Sequence, residues 1–338
     1  MDQVDEQVRA ALGTAEDEAL PAVERSEMLM EIAAGLQLRP KSRQQLDSAI
    51  ELYGRALALC PVDQPLLRAR VVARRASALQ SRTGEGVADL EAARDGWQEA
   101  LPVLAELGRP EEVAEAELNH GLVLQGLAGA GRAPITHAIS AYQRALRTFD
   151  RERFPQEYAI LQNNLATAFL SMPFTDERSR MREALAVQAF EEALAVVNLV
   201  DHPLEYAMLQ NNLGNALQYA SSSHAVENNL RALDAYDEAL RVRTRRDMPL
   251  EYANTMANRA NCLWNLPDDP DSPERGAGRN LRAARAAYAE AREVFAGHGE
   301  PERARQVGQA LSDIERELLA LSTDGADGGA ALHNGDPS

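Results

Sequence analysis

The sequence predicts an all-α chain built from repeated helical hairpins, and three observations carry that prediction. Six segments align along the chain, AIELYGRAL, AARDGWQEAL, AISAYQRAL, AVQAFEEAL, ALDAYDEAL and AARAAYAEAR, each around one aromatic: Tyr53, Trp97, Tyr142, Phe190, Tyr236 and Tyr288. The aromatics follow one another at 44, 45, 48, 46 and 52 residues. An alanine stands four residues before each (Ala49, Ala93, Ala138, Ala186, Ala232, Ala284) and another three after it (Ala56, Ala100, Ala145, Ala193, Ala239, Ala291). Offsets of four and three share one stripe of an α-helix, where alanines admit a neighbouring helix and the aromatic fills the gap between units. Finally, FPQEYAILQNNLATAFL, HPLEYAMLQNNLGNALQ and MPLEYANTMANRANCLW precede three of these helices, entering at Pro155, Pro203 and Pro249. Proline suits a first helical turn because the N–H it lacks has no partner there.

Each hairpin thus has a helix A and an aromatic-bearing helix B. Helices A precede the first three B helices at about 22–38, 65–80 and 110–128, and the others begin at Pro155, Pro203 and Pro249. PERARQVGQALSDIERELLAL from Pro301 has no B partner and reads as a C-terminal capping helix. Residues 1–21 read as an N-terminal extension with a short helix over 2–19, and 22–321 as the repeat region. The Gly/Asp-rich 322–338, poor in large apolar residues, reads as a disordered tail.

Composition removes several function classes. The 338 residues are 45% apolar, which supplies a core. With 35 Lys+Arg against 52 Asp+Glu the net charge is −17, the wrong sign for gripping a phosphate backbone, so no nucleic acid partner is expected. The acidic start MDQVDEQVRA is no secretory leader and no apolar run is long enough for a membrane span, so a cytoplasmic chain without membrane insertion is expected. Cys60 and Cys262 are too far apart in sequence for a ligand cluster, and the histidines form no HxxxH or HExxH pair, so neither metal nor cofactor is expected. Lys41, the only lysine, lies in KSRQQ, which is neither a P-loop nor a Schiff-base context. GLAGAGR at Gly126 to Arg132 lies between helices and reads as a turn. Nothing in these patterns marks an enzyme.

QNNLGNAL at Gln210 to Leu217 resembles the helix-A consensus of tetratricopeptide repeat (TPR) proteins, and Ala232, Tyr236 and Ala239 fall on the helix-B consensus. The resemblance runs over about 22–321. The period exceeds the family's usual length of about 34 residues. That longer period and the doubled Asn resemble the kinesin-light-chain type and related bacterial repeats. The resemblance implies a right-handed α-solenoid of about six long hairpins plus the capping helix, with helices A lining a concave groove. It implies a non-enzymatic scaffold or adaptor that binds a peptide or protein partner, in assembly or regulation of a larger bacterial complex. The alternatives are a peptide-sensing signalling regulator, and a homo-oligomeric structural protein whose terminal helix docks on a second copy.

Candidate binding residues follow from the repeat register. Asn119, Asn164, Asn212 and Asn258 recur at 45, 48 and 46 residues, where TPR proteins carry a groove-facing asparagine. Such a ladder can donate to and accept from a peptide backbone without selecting its sequence. Asn163, Asn211, Asn215 and Asn261 stand beside it; the alternative is hydrogen bonding between neighbouring helices. In the second repeat the column holds Arg74, with Arg70 one turn earlier. Two guanidiniums at i and i+4 can fork onto a partner's carboxylate, or pair internally with the acidic stretch 85–117. Tyr219 and Trp264 are candidate aromatic anchors, with packing against the next repeat as the alternative. The recurrent Tyr158, Tyr206 and Tyr252 read as packing residues, and RVRTRR at Arg241 to Arg246 as cations complementing a helix C-terminus.

Overall fold

The computed structural model describes residues 13, 19–38, 40, 42–82, 86–172, 179–220, 224–272 and 276–330, with side chains as far as 321. Among them are thirteen helices and no strand. In chain order these are α1 (Ala22–Leu38), α2 (Arg43–Leu59), α3 (Pro65–Ser81), α4 (Val87–Leu107), α5 (Pro110–Gly129), α6 (Ile135–Ala145) and α7 (Pro155–Leu170). There follow α8 (Ser179–Leu194), α9 (Pro203–Gln218), α10 (Ala225–Leu240), α11 (Pro249–Trp264), α12 (Gly278–Gly297) and α13 (Pro301–Ala330). The odd-numbered helices α1 to α11 are the A helices, the even-numbered ones the B helices, and α13 is the capping helix. Proline occupies the first turn of α3, α5, α7, α9 and α11.

The helices group into two compact units, Met1–Met172 and Pro173–Ser338. In the first, α1 pairs with α2, α3 with α4 and α5 with α6, while α7 packs on α6; α3 also touches the flanking A helices α1 and α5. In the second, α8 packs on α9, α9 pairs with α10, α11 with α12, and α13 closes on α12. Each unit is therefore a stack of helical hairpins, the architecture of a helical-repeat solenoid. The division separates α7 from α8, where the sequence treats 22–321 as one stretch, because α7 packs on the helix before it and α8 on the helix after it.

The repeat columns form the core. All twelve column alanines have no exposed surface, and the six aromatics are at most 6% exposed. Packing this close dictates the residues opposite. A Cβ added to Gly121 would lie 2.4 Å from the Tyr142 ring, and one added to Gly214 would lie 2.5 Å from that of Tyr236. The buried hydroxyls need acceptors, and the glutamine one turn beyond the small residue supplies them. Tyr53 Oη donates to Gln37 Oε1 (2.8 Å) and Tyr142 Oη to Gln125 Oε1 (2.7 Å). Tyr236 Oη lies 2.8 Å from both Gln218 Oε1 and Asn215 Oδ1. Tyr206 and Tyr252 close their hairpins by donating to Glu238 and Glu290.

At the C-terminus α13 buries Val307, Leu311 and Ile314, while Glu302, Arg305, Asp313 and Arg316 form polar pairs on its outer face. Its backbone continues to Ala330, nine residues past the boundary read at 321, as propagation from a formed helix adds one bond per residue. Residues 331–338, nearly all of the 2–19 segment and 173–178, between α7 and α8, lie outside the described residues. In the loop before α12, the Asp268 carboxylate accepts the backbone N–H groups of Arg279 (2.8 Å) and Asn280 (2.7 Å), which caps that helix. Among the described residues no helix is long and apolar enough to cross a membrane.

Candidate functional site: the A-helix faces

In the first unit α1, α3 and α5 border an open cavity of about 700 Å³. Small side chains on the three facing helices, Ala34, Ala73 and Ala116, leave this room, and Met30, Trp97 and Leu104 belong to the apolar part of its lining. Arg70, Arg74, Arg109, Glu31, Glu112, Glu115 and Asn119 supply its polar edge.

The two candidate arginines differ. Arg70 is committed: its Nε and Nη2 donate to the two oxygens of Glu112 at 2.9 and 3.0 Å. That bidentate bond, reinforced by the Arg109 backbone N–H at 2.9 Å, holds the Glu112 carboxyl below the usual carboxylate range. The internal pairing with the 85–117 stretch is thus what Arg70 makes. Arg74 is 46% exposed, pairs loosely with Glu31 at 3.7 Å and also interacts with the Tyr53 hydroxyl. Asn119 donates to the Glu115 carbonyl of its own helix at 2.9 Å, leaving its amide oxygen at the cavity edge. Gln37, which accepts from Tyr53, donates to Ser77 Oγ at 3.1 Å and ties α1 to α3 beside the cavity. Next to Asn119, His120 points inward; it is 8% exposed, and among the described residues neither ring nitrogen has a hydrogen-bond partner. Burial lowers its pKa, against the opposing field of Glu117. In α7, half-buried Asn163 donates to Asn164 Oδ1 at 3.3 Å.

In the second unit the asparagines bond largely to one another and to neighbouring helices. Asn215 accepts from Tyr236. Asn211 is buried and its Oδ1 faces Thr255 Oγ1 (3.1 Å) and Asn258 Nδ2 (3.4 Å), which links α9 to α11. Asn261 donates to Tyr219 Oη (3.2 Å), and its backbone carbonyl accepts Asn265 Nδ2 (2.7 Å). Asn212 is half-buried on α9. Tyr219 is 66% exposed, whereas Trp264 donates its Nε1–H to Glu317 of the capping helix at 3.0 Å. Glu112 belongs to the acidic stretch that the sequence offers to Arg70, whereas Glu31, Ala34 and Ala73 have no signal of their own in the sequence. They emerge only when adjacent A helices are superposed in register.

These features define a helical-repeat protein with the fold of TPR proteins. The chain is similar to BtubC (BKLC) from P. vanneervenii, with a TM-score of 0.52 and 20% identity over 72% of this chain and 92% of that one. It is also similar to a signal transduction ATPase with numerous domains that carries a tetratricopeptide repeat sensor, from Pyrococcus horikoshii. That likeness has a TM-score of 0.52 and 13% identity, covering 89% of this chain and 44% of the archaeal one, so this chain spans under half of its length. No family model and no curated protein matches the sequence.

Proposed function

We propose that the protein is a non-enzymatic interaction scaffold of the cytoplasm whose first unit holds a peptide or protein segment in the cavity between α1, α3 and α5. The observation that carries this reading is the cavity itself: about 700 Å³ lined by apolar and polar groups alike, among them a half-exposed arginine and an asparagine. Extended peptides need both kinds of surface, apolar pockets for alternate side chains and amides for the main chain. Arg74 is the group available to a partner's carboxylate. Its loose contact with Glu31 is an exposed pair worth about 0–1 kcal/mol, so exchanging Glu31 for a partner's carboxylate costs little. Arg70, locked to Glu112, shapes the wall. An adaptor role in assembling or regulating a larger complex follows from such binding.

The test begins with peptides selected on the full-length chain from a random display library. Arg74→Ala and Asn119→Ala, each verified as folded by circular dichroism, weaken the selected peptides by about tenfold, the loss of one good polar contact each. Peptides that bind the double variant as tightly as the wild type place recognition elsewhere and refute the assignment.

A further inference from the structure

Seven residues after each repeat aromatic stands a buried position: Cys60, Leu104, Phe149, Val197, Arg243 and Phe295. Five of the six are apolar, and the fifth repeat buries an arginine, 8% exposed, in the same place. A second column changes in that repeat. Three residues before the asparagine ladder stand Val71, Ala116, Leu161 and Leu209, then Thr255, which has no exposed surface. The two departures meet: Arg243 Nη1 donates to Thr255 Oγ1 at 2.9 Å. That hydroxyl lies 2.9 Å from the Glu251 carbonyl oxygen and 3.1 Å from Asn211 Oδ1, with Asn258 alongside.

The charge of Arg243 is left without a counter-ion. Its neighbours in RVRTRR are paired, Arg241 with Glu238 and Arg245 with Glu293 and Glu290. Among the described residues no carboxylate lies within 4.0 Å of Arg243, and its buried Nε–H has no acceptor. Glu251 is the one acid whose field acts on it, and burial prevails by lowering the guanidinium's pKa. Guanidinium carries five donors, and burying an uncompensated cation costs several kcal/mol. Packing does not need that cation, because an apolar side chain fills the position in the other five copies.

We propose that Arg243 anchors an anion site in the second unit that takes a carboxylate, with Thr255, Asn211 and Asn258 fixing the guanidinium and supplying amide groups around it. A planar two-oxygen anion matches the geometry of a guanidinium fork. The carboxylate belongs either to a side chain of a bound segment or to a small free acid, and the experiment separates these sources. The site stands in the second unit, apart from the cavity of the first, so its failure leaves the peptide reading intact.

Full-length protein labelled with ¹⁵N is titrated with sodium acetate, with the peptide acetyl-Ala-Ala-Glu-Ala-Ala-amide, and with its Gln counterpart. Sodium chloride holds the ionic strength constant, and arginine Nε–Hε correlations are read. One arginine signal, absent from Arg243→Met, shifts to saturation with the Glu peptide and stays still with the Gln peptide. Acetate shifts the same signal at higher concentration. A response to acetate alone assigns the site to a free acid. The methionine variant folds as the other repeats do and melts no lower than the wild type without probe. Should it fail to fold, Arg243→Lys assigns the signal by its absence and keeps the charge without the fork; its backbone amide shifts around Thr255, read in place of the lost arginine signal, titrate about tenfold more weakly than those of the wild type. If no signal missing from Arg243→Met moves with either probe, or Arg243→Lys responds like the wild type, the site is refuted.

Discussion

Replacing Gly214 by alanine tests the hairpin packing most sharply. A methyl group there meets Cε1 of Tyr236 at 2.5 Å and Cδ1 and Cζ at 2.8 Å. The ring cannot simply swing away, because its hydroxyl is held at 2.8 Å by both Gln218 and Asn215. Overpacking of this kind costs about 1–3 kcal/mol, while glycine to alanine in a helix returns about 0.5–1 kcal/mol. A net loss of up to about 2.5 kcal/mol is expected. Gly54→Ala is the control: Gly54 lies within α2 with nothing within 4 Å of its added Cβ, so only the helix term remains and the variant gains stability. Urea unfolding followed by circular dichroism compares the two. Tyr236→Phe releases the ring, so Gly214→Ala/Tyr236→Phe is less destabilised than the sum of its single changes. If Gly214→Ala is as stable as Gly54→Ala, the close approach of α9 and α10 is wrong.

Other predictions concern buried groups. Burial lowers the His120 pKa, so the native state keeps the ring neutral while the unfolded chain protonates it; stability is full above about pH 6.5 and falls as pH drops below it. His120→Leu flattens the fall in urea midpoint between pH 7.5 and 5.0, and an unchanged slope contradicts this. Burial pushes the Cys262 thiol up to about 12, and its Sγ–H faces the Asn229 carbonyl oxygen at 2.8 Å. Cys262 therefore resists a thiol reagent at pH 8 until denaturant is added, when it reacts promptly; rapid labelling of the native chain at Cys262 contradicts the placement.

How much of this was legible in the sequence depends on periodicity. Columns such as Ala232, Tyr236 and Ala239 declare a helix stripe because burial selects small and aromatic side chains at fixed offsets in every copy. Pairwise chemistry between copies was harder to read. The role of Gln218 as acceptor for Tyr236 requires knowing that α9 and α10 run side by side in one register. The asparagines recur whether they face a ligand or a neighbouring helix, so recurrence alone does not separate Asn258, bonded to Asn211, from Asn119 at the cavity edge. The division after Met172 leaves no mark, because the repeat signature continues through it. Arg243 was hidden by composition: among the arginines of RVRTRR it resembles a surface cation, and only comparison with Val197 and Phe295 shows it standing in a core position.

The measurement that tests the central claim most directly is hydrogen–deuterium exchange of the full-length chain with and without a saturating selected peptide. Slowed exchange concentrated in α1, α3 and α5, lost in the Arg74→Ala/Asn119→Ala variant, is the predicted result. Protection confined to the B helices α2, α4 and α6, or to the second unit alone, contradicts the claim that the A-helix cavity of the first unit holds the partner.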